Sequence, residues 1–300
     1  MNILIIGGNN HISNVFIEKM LYLNIQFRIV IYDNNSSLNH KKKSLFCDVK
    51  DYFEYLGEDL IQFVYGDITD TKKFVDTCRK YEINFIINNV KYCPYKSNMM
   101  NLHNLMHGMR SICEYSQSST KLKKVINIQR LYSNDFCYVE KKENICIESH
   151  RFVEIQNCMI ENMMLDHLCV NIRYEDFVIN TLDKNPIIDQ YVHMFNIGCV
   201  PHAYNIHIKL NKIEDIIAAI IMYIRFDQLK HGNISNIEGY EMNIQNEFLP
   251  SIISEFNKTR QTSIEPDYLV EQKQTSYDIR KCEEEFIISA LRKSLNQHNE

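Results

Sequence analysis

The first thirty-three residues constrain the fold of this chain more than any other stretch does. A short apolar run at 2–6 is ended by Gly7 and Gly8, and a helical pattern of apolar residues begins near Ile12. A second apolar run follows at 27–32 and ends on Asp33. A strand, a glycine turn, a helix, a strand and an acid in this order predict a βαβ unit. Such a unit can present the N–H groups of its first helix turn to a pyrophosphate, and its acid to a ribose diol.

The glycine turn departs from the usual dinucleotide-binding fingerprint. From Gly7 to Ser13 the sequence reads G-x-x-N-x-x-S, where the full fingerprint has glycine at all three positions. Apart from glycine, asparagine is the residue that best tolerates a positive φ, so we expect Asn10 to replace the second glycine. We expect Gly7, Asn10, His11 and Ile12 to surround the pyrophosphate. An ordinary βα turn is the alternative, and the acid about twenty residues further on favours binding.

Strands and helices alternate as far as residue 174 and become shorter beyond it. We predict strands at 60–65, 83–87, 124–128 and 169–173, and helices at 71–80, 98–116 and 151–166. This alternation predicts a doubly wound parallel sheet of the Rossmann type. The later part predicts helices at 187–197, 212–225, 246–257 and 281–295, and strands at 206–210 and 234–237. We therefore expect a dinucleotide-binding domain at 1–174 and a small α/β substrate lobe at 175–300, interleaved with it.

Composition argues against several classes of protein. The net charge of -5, without a dense basic surface, argues against a nucleic-acid partner. No apolar run is long enough to span a membrane, and the chain begins with a strand, so we expect a cytoplasmic protein. The ten scattered cysteines predict neither disulfides nor zinc. His103 and His107 have the spacing of metal ligands, but no third ligand accompanies them in the sequence. We interpret the lysines at 121–124 as a solvated entry to the following strand.

Six further stretches carry a family resemblance. They read D-N at 33–34, G-D-I-T-D at 66–70, Y-E-I-N-F-I-I-N at 81–88, V-N-I-R-Y at 170–174, H-I-K-L-N-K-I-E-D-I-I-A at 207–218 and Y-D-I-R-K at 277–281. In this order and spacing they resemble the extended short-chain dehydrogenase/reductase family, the nucleotide-sugar epimerases and 4,6-dehydratases. The resemblance covers nearly the whole chain and implies the doubly wound fold.

The resemblance implies NAD as the cofactor and a UDP- or dTDP-hexose as the substrate. NAD is expected over NADP because Asp33 would repel a 2′-phosphate and accept a hydrogen bond from a 2′-hydroxyl. Arg173 ends a strand at the junction of the predicted domains, where it would support substrate binding or form a structural ion pair. The residues that the resemblance assigns to NAD, besides those of the glycine turn, are Asp33, Asn34, Asp67, Ile68, Asn88, Asn89 and Val90.

The resemblance fails at the positions where the chemistry should occur. The family uses a Y-x-x-x-K pair and a Ser or Thr at the end of the fifth strand. The Tyr of the pair passes a proton at the sugar hydroxyl, and the Lys lowers the pKa of that Tyr and holds the nicotinamide ribose. Alignment back from 170–174 places the pair at Phe152 and Gln156 or at Val153 and Asn157, and neither pair can transfer a proton at neutral pH. The end of the fifth strand, 128–132, carries no Ser or Thr.

One literal Y-x-x-x-K pair does occur, formed by Tyr138 and Lys142. It lies between the fifth strand and the following helix, earlier than the alignment would place it. A cationic Lys142 one helical turn away would lower the pKa of Tyr138 and prepare it as the acid/base. The alternative is that both residues belong to a solvated loop.

Two functional hypotheses follow. The first is a nucleotide-sugar enzyme that oxidises the sugar C4 hydroxyl with bound NAD, as a UDP- or dTDP-hexose 4,6-dehydratase, with or without 5-epimerase activity, or as an epimerase. The second is a catalytically degenerate protein of the same fold that binds a nucleotide or a protein partner. The missing Tyr, Lys and Ser/Thr favour the second, whereas the retained Asp33 and Asp67 favour the first.

Methionines cluster on two predicted helices that resemble the dimer-forming pair of the family. Methionine fills irregular apolar contacts, so core packing is the alternative role for each of them. Together they predict a homodimer built as a four-helix bundle. The methionines concerned are Met99, Met106, Met109, Met159, Met163 and Met164.

Overall fold

The structure is a computed structural model, and it divides into two compact units. It describes residues 1–8, 10–23, 26–34, 60–90, 97–133, 145–163, 165, 168–179, 191–192, 194–196, 205–226 and 234–260. Unit one comprises 1–131, 147–174 and 215–237, and unit two comprises 132–146, 175–214 and 238–300. Residues 215–237, which the sequence analysis placed in the later lobe, thus group with unit one, because a strand at 234–236 joins its sheet.

The helices and strands follow the predicted order closely. The strands are β1 (Asn2–Ile6), β2 (Arg28–Asp33), β3 (Ile61–Tyr65), β4 (Phe85–Asn88), β5 (Lys124–Leu131), β6 (Cys169–Glu175), β7 (Phe177–Ile179), β8 (His207–Lys212), β9 (Ile234–Asn236) and β10 (Tyr240–Asn243). The helices are α1 (His11–Tyr22), α2 (Thr71–Lys80), α3 (Asn98–Ser118), α4 (Ile145–Asn162), α5 (Ile213–Arg225) and α6 (Leu249–Arg260), with a π-helix at Ile244–Phe248 before α6. The predicted helix at 281–295 and the motif at 277–281 lie outside the described residues.

Unit one is built on a seven-stranded sheet with the order β3-β2-β1-β4-β5-β6-β9. The pairs of β1 with β2 and with β4 are parallel, as are β2 with β3, β4 with β5 and β6 with β9. The first strands are buried on both faces, which explains their continuous apolar sequences. The doubly wound parallel fold is therefore confirmed. The strand order reverses between β1 and β4, and proteins of this fold bind ligands beyond the strand ends at such a point.

Two polar side chains of unit one stabilise helix ends, and one of them corrects an interpretation made from the sequence. The side chain of Asp70 caps α2 by accepting a hydrogen bond from the Lys73 N–H at 3.1 Å. Lys124, expected to be solvated, is 1% exposed. Its Nζ donates to the carbonyl oxygens of Tyr223 and Phe226 at 3.1 and 3.2 Å. The solvated interpretation was wrong for this residue, because the ammonium group satisfies carbonyls at the C-terminal end of α5.

Unit two contains a three-stranded sheet in the order β10-β8-β7, in which β10 pairs antiparallel and β7 parallel to β8. Beside it lies an apolar cluster to which Ile208, Met242, Phe248 and Ile252 belong. Asp176 is fully buried at a positive φ of 47° and accepts hydrogen bonds from two backbone N–H groups of this unit. The carboxylate thus stabilises the fold of unit two. In the part of the chain that the structure describes, no helix is long and apolar enough to cross a membrane.

Candidate functional site

The glycine turn after β1 depends on glycine at both positions. Gly7 has a φ of +65°, and a Cβ there would lie 3.2 Å from the carbonyl oxygen of Asn89. A Cβ on Gly8 would lie 2.8 Å from Cγ2 of Ile31. The backbone therefore passes close to β2 and to the end of β4 before it enters α1. This close approach brings the first turn of α1 to the carboxyl end of the sheet.

Asn10 supports this turn by a different mechanism from the expected one. Its φ is -152° and its ψ is 167°, which is extended backbone, so the prediction of a positive φ was wrong. The positive φ falls on Gly7 instead. Asn10 is the N-cap of α1, because its Oδ1 accepts from the Ser13 N–H at 3.2 Å while its Nδ2 donates to the Gly7 carbonyl. The N–H groups of His11 and Ile12 belong to the same first turn, where a helix offers donors to an anion.

The acidic residues lie at the ends of β2 and β3. Asp33 is the last residue of β2 and is 8% exposed. Asn34 Nδ2 donates to Oδ2 of Asp67 at 2.6 Å, and the other oxygen of Asp67 accepts from the N–H and Oγ1 of Thr69. The structure thus brings Asn34 and Asp67 together, although both carboxylate oxygens of Asp67 are engaged within the loop. The side chain of Ile68 packs into the apolar core.

The hydrogen bonds to Asp67 determine its protonation. Burial by itself would raise the pKa of this carboxyl group. The hydrogen bonds from Thr69 and Asn34, together with the charge of His103, outweigh burial and hold the pKa of Asp67 below its ordinary value. Asp67 is therefore a carboxylate at neutral pH, and its negative charge lies beside the end of β2.

Three asparagine side chains form a buried ladder across the centre of the sheet. Asn88 donates to Asn127 at 2.9 Å, and Asn127 donates to Asn171 at 3.1 Å, so the ladder joins β4, β5 and β6. The side chain of Asn88 is therefore used inside the sheet. Its neighbour Asn89 is 4% exposed, and neither side-chain polar atom has a hydrogen-bond partner among the described residues. Of the predicted residues after β4, Asn89 thus has a buried amide that a ligand could satisfy.

Amide side chains fill the region where the resemblance placed catalytic residues. Gln129 near the end of β5 donates through Nε2 to Gln156 Oε1 at 3.0 Å and to Asn157 Oδ1 at 3.2 Å. Arg173 Nε donates to Gln129 Oε1 at 2.9 Å. Burial lowers the pKa of Arg173, which remains a cation at neutral pH. Tyr138 and Lys142 lie outside the described residues.

Neither Gln129 nor the asparagine ladder was among the functional residues predicted from the sequence. A signal was available, because Asn127 and Gln129 are polar residues at alternate positions of the run V-I-N-I-Q at 125–129, whose other residues are apolar. Alternate residues of a strand face the same side, so two amides in such a run indicate a polar network inside the sheet.

The histidines of α3 show no comparable network among the described residues. The rings of His103 and His107 lie 4.3 Å apart, and the described residues hold no group of three potential metal ligands.

No family model matches the sequence, and no curated protein matches it. Many solved structures, however, are similar to it in fold. At 12% identity and a TM-score of 0.63, it is similar to the UDP-glucose 4-epimerase of Thermotoga maritima with UDP-glucose, with 100% of both chains covered. The dTDP-glucose 4,6-dehydratase of Bacillus anthracis, in complex with NAD, gives 14% identity and a TM-score of 0.67, covering 100% of this chain and 96% of that one.

A third structure is the UDP-glucose-4-epimerase of Stenotrophomonas maltophila, with bound NAD and formylated UDP-arabinopyranose. It is 12% identical with a TM-score of 0.68, and the match covers 100% of this chain and 98% of that one. Identities this low show the fold alone. They confirm the predicted doubly wound fold, and these neighbours are two UDP-glucose 4-epimerases and a dTDP-glucose 4,6-dehydratase, the kinds of protein that the sequence was found to resemble.

Proposed function

We propose that unit one binds NAD. The observation that carries this proposal is the turn after β1, where Gly7 has a positive φ and Asn10 caps α1. The backbone carbonyl of Asn89 lies close to Gly7, and the buried side-chain amide of Asn89 has no hydrogen-bond partner among the described residues. The N–H groups of His11 and Ile12 would hold the pyrophosphate, and Asp33 would accept hydrogen bonds from the adenosine ribose. Several solved structures of the same fold contain NAD.

Calorimetry with NAD and NADP tests this proposal. Asp33 should make NAD the tighter ligand, because a 2′-phosphate beside its carboxylate is repelled. Asp33→Asn should narrow the difference between the two dinucleotides by about tenfold, equivalent to about 1.4 kcal/mol. Equal or tighter binding of NADP by the unmodified protein would refute the assignment of Asp33.

We further propose that the protein is a cytoplasmic nucleotide-sugar enzyme, specifically a UDP- or dTDP-hexose 4,6-dehydratase with or without 5-epimerase activity. Bound NAD would supply a hydride acceptor for oxidation at the sugar C4. Tyr138 would take the C4 hydroxyl proton, and Lys142 would keep its pKa low. The similarity in fold to a 4,6-dehydratase and to epimerases supports this proposed activity.

A panel of UDP- and dTDP-hexoses, analysed by mass spectrometry for a 4-keto product that has lost water, tests the activity. If Tyr138 is the acid/base, Tyr138→Phe should reduce turnover about 10²- to 10⁴-fold. Tyr22→Phe is a matched control, because Tyr22 is 84% exposed on α1 and is not assigned to the site. An unchanged rate for Tyr138→Phe would remove Tyr138 from the mechanism.

A second candidate function is favoured by one specific observation. Gln129 donates to Gln156 and to Asn157 where a proton-transfer pair is expected, and amides do not titrate. On this reading the protein binds nucleotide without turnover and acts as a partner subunit. Unfolding the purified protein and identifying any released nucleotide by mass spectrometry, alongside the sugar panel, separates the two. Bound NAD with no turnover would favour the partner subunit.

We also propose a homodimer through α3 and α4. Met99 and Met106 of α3 are 74% and 49% exposed, and Ile147 and Ile155 of α4 are 46% and 39% exposed. Met109, by contrast, is buried in the core and is not available for an interface. Light scattering should give a dimer at micromolar concentration, and Met106→Lys should weaken it. A monomeric unmodified protein would refute the proposal.

A further inference from the structure

The orientation of the Gln129 carboxamide is fixed by its neighbours. Arg173 lies 2.9 Å from it and, like every arginine, can only donate hydrogen bonds. Gln129 must therefore present its oxygen to Arg173 and its nitrogen to α4. On α4 that nitrogen requires acceptors, so Gln156 and Asn157 must turn their oxygens towards it, as the distances of 3.0 and 3.2 Å show.

The nitrogens that this arrangement leaves without a partner are all hydrogen-bond donors. The oxygens of Gln156 and Asn157 already accept from Gln129, their NH₂ groups remain, and Arg173 retains both terminal nitrogens of its guanidinium. Within the described part of the chain, none of these nitrogens has another hydrogen-bond partner, and no carboxylate pairs with Arg173. Gln129 and Gln156 are each 2% exposed, whereas Arg173 and Asn157 are partly exposed, so the cluster is held firmly yet reaches the surface of unit one.

We propose that Gln156, Asn157 and Arg173, oriented by Gln129, bind an oxyanion of the ligand, a carboxylate or a phosphoryl group. The arginine fork suits two oxygens of one such group, and the neighbouring amides add uncharged donors. This inference rests on the proposed function, since a nucleotide sugar offers such groups at two places. One is the diphosphate, and the other is the sugar carboxylate of a nucleotide hexuronate. The cluster therefore narrows the substrate class.

The test compares the NAD-supplemented protein with Arg173→Gln, and uses Arg79→Gln as a control that removes an exposed surface arginine of unit one. Calorimetry measures binding of UDP, UDP-glucose and UDP-glucuronate. A thermal shift with inorganic phosphate, at ionic strength held constant with chloride, measures oxyanion binding without a nucleotide. Gln156→Glu places a carboxylate among the donors and serves as a second variant if Arg173→Gln does not fold.

If the oxyanion is the sugar carboxylate, UDP-glucuronate binds about tenfold tighter than UDP-glucose. Arg173→Gln then abolishes that preference and leaves the affinities for UDP and UDP-glucose unchanged. If it is the diphosphate, the variant weakens all three ligands equally. Either result, with Arg79→Gln unchanged, supports the cluster. Equal affinities and equal phosphate shifts for the unmodified protein and both site variants overturn it. A phosphate shift that depends on Arg173, with none of the UDP ligands bound, would reject the proposed substrate and retain the oxyanion site.

Discussion

The side chain of Asn10 should contribute separately to stability and to dinucleotide binding. It accepts a hydrogen bond from the Ser13 N–H at 3.2 Å and donates one to the Gly7 carbonyl. Asn10→Ala removes both bonds and should lower the free energy of unfolding by about 1 kcal/mol, the usual cost of losing an N-cap. Asn10→Gly should cost only a few tenths of a kcal/mol. Urea denaturation, followed by circular dichroism, measures these differences.

Asn10→Asp separates the two roles. The aspartate can still accept from the Ser13 N–H but cannot donate to the Gly7 carbonyl, so the free energy of unfolding should fall by about 1 kcal/mol. Its carboxylate, however, would lie at the helix end proposed for the pyrophosphate, where repulsion on the order of 1–2 kcal/mol should weaken NAD about tenfold. NAD affinity measured by calorimetry should therefore fall in Asn10→Asp and change little in Asn10→Gly. An Asp variant that binds NAD as tightly as the unmodified protein would refute the placement of the pyrophosphate.

Three further predictions concern the surroundings of the site. Gln129→Leu should lower the free energy of unfolding by about 2–3 kcal/mol in urea, because it strands three hydrogen-bonding groups; a loss under 0.5 kcal/mol would contradict this. Gly8→Ala should lower the free energy of unfolding by about 1–3 kcal/mol, because the added Cβ would lie 2.8 Å from Cγ2 of Ile31. An unchanged urea midpoint would show that the turn relaxes to accommodate the methyl group. Because the pKa of Asp67 is lowered on folding, its stabilisation is present at neutral pH and is lost as pH falls below about 4. The stability difference between the unmodified protein and Asp67→Asn should therefore shrink from pH 7 to pH 3, and a constant difference would argue against the bonds from Thr69 and Asn34.

The order of the elements and the wound sheet could be predicted because they depend on local signals. Runs of β-branched residues, the glycine pair after β1 and the cap at Asp70 each act over a few residues, so they are visible in the sequence. The sequence also determines which residues lie at the strand ends, and hence that Asp33 and Asp67 are near each other. The bounds of α2 were predicted to the residue, since both a cap and an apolar face mark them.

The tertiary structure decided which role each polar side chain has. The buried ammonium group of Lys124 donates to the carbonyl of Tyr223, which is 99 positions away in sequence, and no local sequence pattern predicts such a partner. The residue of the turn with a positive φ is Gly7, which lies close to the end of β4, and Asn10 is extended and caps α1. Gln129 acquired its orientation only through Arg173 and α4, which approach it from separate parts of the chain. Hydrogen bonds between distant segments depend on direction and distance, and only the folded arrangement specifies these.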